Sequence, residues 1–198
     1  MQEKGFVIWL TGLPSSGKTT LSLALKKALE TYRHNIEVLD GDVIRENLSK
    51  GLGYSKADRD INIRRIGFVA HLLARNGVAV ICAAISPYRT VRDEVREMTG
   101  DFIEVYVKAT VETCARRDVK GLYQKAFAGE IKAFTGVSDP YEPPVKPEII
   151  CDTEKEAVEE SVEKILQFIE THGYISRDTY SEEDKAILHK RLGDLGYL

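Results

Sequence analysis

Gly12-Leu13-Pro14-Ser15-Ser16-Gly17-Lys18-Thr19, followed by Thr20, spells a glycine, four residues, and then Gly-Lys-Thr. Glycines at both ends free the backbone to wrap so that its N–H groups point inward. Lys18 adds a mobile positive charge, and the Thr19 hydroxyl is of the kind that ligates magnesium. Such a loop, set between a strand and a helix, holds the phosphates of a nucleoside triphosphate together with Mg2+. The plainer reading is a glycine turn carrying an exposed lysine.

The loop fixes the donor side and leaves the reaction open, because motors, GTPases, transporters and kinases all use it. An Asn-Lys-x-Asp guanine reader is absent from the sequence, and the Asp-x-x-Gly at Asp118 to Gly121 falls after the fourth apolar run. Asp40-Gly41-Asp42 stands at the end of the second run, where ligands of open α/β sheets gather. One carboxylate could orient or deprotonate an acceptor hydroxyl while the other holds a magnesium-bound water, which are the roles phosphoryl transfer requires. Thr19, Asp40 and Asp42 are thus the metal-side candidates, and the alternative is an ordinary strand-to-helix turn. Arg59, Asn62 and Arg65 recur at spacing three, so they share one side of a helix and suit an anion; the alternative is a solvated face. Ser86-Pro87 after the third run reads equally as a helix cap. Arg116 and Arg117 could stack on adenine or lie along the surface.

These residues need a scaffold. Phe6 to Leu10, Ile36 to Leu39, Val78 to Ile85, Phe102 to Val107 and Glu148 to Cys151 are short apolar runs rich in Val and Ile, as buried strands of a parallel sheet are. Helical patterns lie between them: Leu21, Leu25, Ala28 and Leu29, then Ile63, Ile66, Ala70 and Leu73. Thr153 with Glu156 reads as a capping box opening an amphipathic helix that ends before Gly173. Alternating strands and helices predict an α/β fold, a three-layer sandwich around a mainly parallel five-stranded sheet. Residues 118–147 fit neither strand nor long helix and hold five Gly or Pro positions after Phe134, so they form a candidate lid. The domain is expected over residues 1–173. Residues 174–198 then read as a tail with a short helix around Ala186 to Leu192.

At 198 residues the chain suits one domain, and its hydrophobic fraction of 43% with 30% charged residues is ordinary for a globular protein. No run approaches a membrane span, and a net charge of -3 argues against a nucleic-acid polymer as partner. Cys82, Cys114 and Cys151 lack disulfide or metal spacing and read as reduced core thiols. With no secretory signal pattern, a cytoplasmic protein is expected.

Taken in order, the segments resemble adenylylsulfate kinase, over about residues 5–170. The pieces are the loop to Thr20, Asp40-Gly41-Asp42 with Arg45, Gly53-Tyr54-Ser55, Asp58-Arg59, Asn62 to Gly67, Ile85-Ser86-Pro87-Tyr88-Arg89, Lys120 to Tyr123, Ala128 to Lys132, Phe134-Thr135-Gly136 and Pro140-Tyr141-Glu142. The resemblance implies ATP as co-substrate, adenosine 5'-phosphosulfate as acceptor and transfer to its 3'-hydroxyl, within sulfate activation. By it, Gly12 to Thr20 and Arg117 hold ATP, with Arg117 covering the adenine. Asp42, Arg45, Arg59, Asn62 and Arg65 belong to the acceptor side, Tyr54 and Phe134 sandwich its base, and Ile85 and Ser86 lie alongside. Lys18, Asp40, Lys132 and Ser86 are the catalytic candidates, with Asp40 facing the 3'-hydroxyl. A serine at the position of Ser86 is sometimes described as a phosphorylated intermediate, although in-line transfer needs none. Family habit implies a homodimer, free-standing or fused to ATP sulfurylase. Two other readings stay open: a kinase of another small metabolite or nucleoside monophosphate, and a catalytically silent nucleotide sensor.

Overall fold

A computed structural model describes residues 4–176; the predicted helix around Ala186 to Leu192 lies outside them. Five strands, β1 (Phe6–Thr11), β2 (Ile36–Asp40), β3 (Ala79–Ala83), β4 (Phe102–Lys108) and β5 (Ile149–Asp152), form one sheet in the order β2-β3-β1-β4-β5, every pair parallel. Parallel neighbours need crossovers that return over the sheet, so helices cover both faces. Alternation along β1 shows the result. Phe6, Ile8 and Leu10 face a cluster with Leu21, Leu25 and Leu29 of α1 (Lys18–Leu29) and Val162, Ile165 and Ile169 of α7 (Val158–Thr171). Val7 and Trp9 face the opposite cluster, with Ile63, Ile66 and Ala70 of α3 (Lys56–Ala74) and Val91 and Val95 of α4 (Arg89–Thr99). With both faces buried, the strands carry no polar alternation, which is why they read as continuous apolar runs.

Four expectations shift. The third strand stops at Ala83, because the chain turns away at Ser86, whose φ of 41° lies in the left-handed region. The N-cap of α4 is then Tyr88, and Ser86 caps nothing. The N-cap of α7 is Ala157, not Thr153: Lys155 and Glu156 fold back onto the Asp152 carbonyl in a turn, and Glu160 accepts from the Ala157 amide at 2.7 Å. Finally, the core runs past Gly173, since Ile175 is buried in it and the Tyr174 ring lies 4.8 Å from Phe6.

The lid segment contains one short helix, α6 (Leu122–Phe127), after α5 (Val111–Arg117), and is otherwise irregular up to β5. Asp118 takes the amides of Tyr123 and Gln124, each at 3.0 Å, so the Asp-x-x-Gly is a turn that starts a helix. A third apolar cluster of Leu13, Ala109, Cys114, Tyr123, Ala126 and Phe134 fastens this segment beside the phosphate loop. The three cysteines are free and buried. Among the described residues no helix is long and apolar enough to cross a membrane.

Close packing of α3 on α4 gives a sharp test. A Cβ on Gly67 would meet Val95 Cγ2 at 2.5 Å and Cγ1 at 2.7 Å. In an open helix Gly→Ala stabilises by about 0.5–1 kcal/mol. Here the overpacking dominates, and Gly67→Ala is expected to lower the stability measured by urea unfolding by about 1–3 kcal/mol; an unchanged or higher midpoint would contradict this packing.

Candidate active site

All the chemistry-bearing loops leave the carboxyl ends of the parallel strands. After β1 the chain wraps tightly: a Cβ on Gly12 would stand 2.4 Å from the Val107 carbonyl oxygen, and Gly17 at φ 105° opens α1. Lys18 is buried across this loop, its Nζ donating to the carbonyls of Gly12 at 3.0 Å and Leu13 at 2.6 Å. Burial favours the uncharged amine, and it depresses Lys18 to about 8. The buried Ser16 hydroxyl has no hydrogen-bond partner in the loop. Thr19 and Thr20 open to solvent at the start of α1.

Asp40, the last residue of β2, bridges the two halves. One oxygen accepts from the Thr19 hydroxyl at 3.0 Å, and the other from the Asp42 amide at 2.9 Å, capping α2 (Gly41–Asn47). The exposed Asp42 carboxylate pairs with Lys120 at the entrance to the lid. Thr19 and the Asp40 carboxylate thus meet directly, while the Asp42 carboxylate turns to Lys120. Among the described residues no group of three His, Cys, Asp or Glu is placed to hold a metal ion.

The acceptor-side candidates divide into open and engaged groups. Arg59 is 7% exposed. Its Nε donates to the Tyr54 carbonyl at 2.8 Å, its two terminal nitrogens to the Thr135 hydroxyl and the Ala133 carbonyl, and Asp139 stands 3.2 Å away. Asn62, three positions further along α3, is buried with its side-chain oxygen unpartnered, while Arg65 faces outward and donates to the Leu48 carbonyl at 2.9 Å. Arg45 lies over the Tyr54 ring at 4.6 Å and donates to the Gly53 carbonyl at 2.8 Å. Tyr54 is 63% exposed, whereas Phe134 is 8% exposed and meets Tyr123 edge-on at 4.9 Å. Phe134 therefore presents almost no free face to a base while the lid sits this way. Lys132 is exposed, with no ion pair among the described residues. Ile85 is half-buried, and the Ser86 hydroxyl, 1% exposed, accepts from Trp9 Nε1 at 3.0 Å. In this structure the Ser86 hydroxyl is thus enclosed and held by the indole. Arg117 donates to the Thr153 hydroxyl at 2.9 Å and its carbonyl at 2.6 Å, and Thr153 in turn donates to the Ser16 carbonyl at 3.0 Å.

The sequence model of the family described as adenylylsulphate kinase matches residues 4–152. The chain belongs to this family. It is 60% identical over 177 residues to the adenylyl-sulfate kinase of Rippkaea orientalis, covering 89% of this chain and 98% of that one. The corresponding enzyme of Picosynechococcus is 57% identical, covering 89% and 99%. Among solved structures, the APS kinase CysC of Mycobacterium tuberculosis, determined in complex with AMPPNP and APS, superimposes with a TM-score of 0.82 at 38% identity, covering 85% of this chain and 99% of that chain. A probable bifunctional SAT/APS kinase of Sorangium cellulosum is 55% identical, but this chain covers 30% of its length. The family makes this chain an ATP-dependent phosphotransferase.

Several working residues escape a sequence reading. Lys120, Ala133, Thr135 and Asp139 gather on Asp42 and Arg59 only because the lid folds over the sheet edge. Thr153 resembles a helix cap yet braces the phosphate loop. The Gly-Pro density of 136–147 marks a lid without saying which side chains it delivers.

The depressed Lys18 has a thermodynamic consequence. A bound triphosphate returns the amine toward its ordinary range near 10.5, so between about 8 and that value nucleotide binding takes up a proton. Affinity for ATP is expected to fall as pH rises through this window. Calorimetry with the magnesium complex of ATP, whose phosphates stay ionised throughout, in buffers of different ionisation enthalpy should show proton uptake at about pH 9 and almost none at about pH 6.5, where Lys18 is charged in both states; equal exchange at both would contradict the burial effect.

Proposed function

We propose that this chain transfers the γ-phosphate of ATP to the 3'-hydroxyl of adenosine 5'-phosphosulfate, giving ADP and the 3'-phosphorylated product. The observation that carries this reading is the Thr19–Asp40 contact at 3.0 Å, which couples the end of the phosphate loop to the carboxylate that faces the acceptor side. In this reading Gly12 to Thr20 hold the triphosphate, Lys18 follows the charge of the moving phosphoryl group, and Arg117 extends from the Thr153 brace toward the donor base. Thr19, with Asp40 and Asp42, would hold Mg2+, which supplies charge neutralisation between the phosphates. Asp40 orients the 3'-hydroxyl and accepts its proton as the O–P bond forms.

On the acceptor side, Arg59 exchanges the Ala133 carbonyl, Thr135 and Asp139 for the phosphosulfate, which supports a lid that rearranges when substrate arrives. The unpartnered oxygen of Asn62 gains a donor, and the base lodges by Tyr54 as Phe134 is drawn out of its cluster. Lys132, exposed on the lid, reaches the anionic substrate. Closure excludes water that would otherwise accept the phosphoryl group. The same reading places the enzyme in the cytoplasm as a homodimer serving sulfate activation. Adenylyl-sulfate kinases covered almost whole and the probable bifunctional SAT/APS kinase of Sorangium cellulosum both support a kinase unit that serves alone or beside a second activity.

Product analysis tests it. With ATP, magnesium and adenosine 5'-phosphosulfate, a 3'-phosphorylated nucleotide should form, and AMP should be turned over far less. Lys18→Ala and Asp40→Ala are each expected to lower kcat by about 10²–10⁴-fold, with ATP binding largely kept in the second. Turnover of AMP without product from the phosphosulfate would overturn the acceptor; full turnover by Asp40→Ala would overturn its role.

A further inference from the structure

Arg92 lies on α4 three positions past the Ser86-to-Arg89 stretch, and it is 2% exposed. A charge so enclosed needs both a counter-charge and full hydrogen bonding. Glu104 of β4 supplies the first: Arg92 Nε donates to its Oε1 at 2.7 Å, and Arg96 holds the other oxygen at 3.3 Å. The two terminal nitrogens do something else. One donates to the Ser86 carbonyl at 2.6 Å and the other to the Glu142 carbonyl at 2.9 Å.

Those carbonyls belong to two separate working parts. Ser86 carries the left-handed φ of 41°, a conformation that a non-glycine residue keeps only when its surroundings hold it. Glu142 is the point where the lid returns to the body. Its amide donates to the Pro87 carbonyl at 2.8 Å, its carboxylate accepts from the Arg89 amide at 2.8 Å, and the hydroxyl of neighbouring Tyr141 sits 3.0 Å from Thr11, which donates to the Ile85 carbonyl at 2.8 Å. A pair of apolar residues could fill the space of Arg92 and Glu104 at little cost in stability. What such a pair cannot do is donate to two carbonyls at a fixed angle.

We propose that Arg92 is a positioning residue for phosphoryl transfer: its guanidinium locks the Ile85-to-Pro87 turn to the lid root at Glu142, so that the lid closes about a point fixed relative to the acceptor. Glu104 sets the orientation of the fork. The proposal rests on the reading that Ile85 and Ser86 line the acceptor side, and it adds to that reading a residue that touches no substrate.

The test uses the full chain. Arg92→Lys keeps the charge but loses the fork. The KM for adenosine 5'-phosphosulfate should rise by about tenfold while the KM for ATP stays within about twofold. Trp9 is the only tryptophan, and its indole N–H bonds Ser86, so its emission should shift as the turn loosens. Glu142→Ala, at a half-buried position, weakens the same joint without disturbing the buried charge, and it should raise the acceptor KM by about threefold even if the lysine variant fails to fold. Arg59→Ala serves as the reference for acceptor binding. If it raises the acceptor KM while Arg92→Lys and Glu142→Ala leave it unchanged, or raise both KM values equally, the positioning role is wrong and the acceptor reading stands. If Arg59→Ala itself leaves the acceptor KM unchanged, both fall.

Discussion

A guanidinium shut away from water must have every donor answered, and Arg59 meets that constraint with the protein's own lid. Besides the Tyr54 carbonyl, its partners are the Ala133 carbonyl, Thr135 and Asp139, all from within seven consecutive residues of the lid segment. Removing one partner of a buried ion pair costs about 3–5 kcal/mol. With the apolar packing of Phe134 against Tyr123, these contacts hold the lid segment in place. Lys18 answers the same constraint on the donor side, curling onto the carbonyls of Gly12 and Leu13. Both cations are thus occupied by oxygen acceptors of the chain itself. Substrate anions replace those acceptors instead of meeting bare charges, and phosphate or sulfate oxygens carry charge where most of the replaced acceptors are carbonyl or hydroxyl oxygens.

The exchange is productive because the sheet brings both cations to one edge. Five parallel strands end on the same side, so the loops after β1, β2 and β3 meet there, while helices on both faces keep the edge rigid. Asp40 joins the halves through Thr19. The buried Arg92–Glu104 pair plays the corresponding part between the third-strand turn and the lid root.

Much of this was legible in the sequence, for physical reasons. Fully buried parallel strands produce apolar runs, a phosphate loop demands its glycines and lysine, and a carboxylate at a strand end sits where ligands gather. Boundaries were less legible. Nothing local says that the third strand stops at Ala83, because the cause is a left-handed residue held by Trp9 and Arg92 from elsewhere in the chain. Thr153 misled because Thr-x-x-Glu has the same spelling whether its hydroxyl caps a helix or braces a loop. Asp139 and Arg92 were invisible as functional residues, since each acts through a contact at least fifty residues away in sequence or through backbone carbonyls, which carry no side-chain signature.

The most direct measurement is a crystal structure of this chain with a non-hydrolysable ATP analogue, magnesium and adenosine 5'-phosphosulfate bound together. The account predicts that the Arg59 guanidinium leaves the Ala133 carbonyl and Asp139 for the phosphosulfate, with Asp40 within hydrogen-bond distance of the 3'-hydroxyl. An Arg59 that keeps its lid partners while the acceptor lies elsewhere would contradict it.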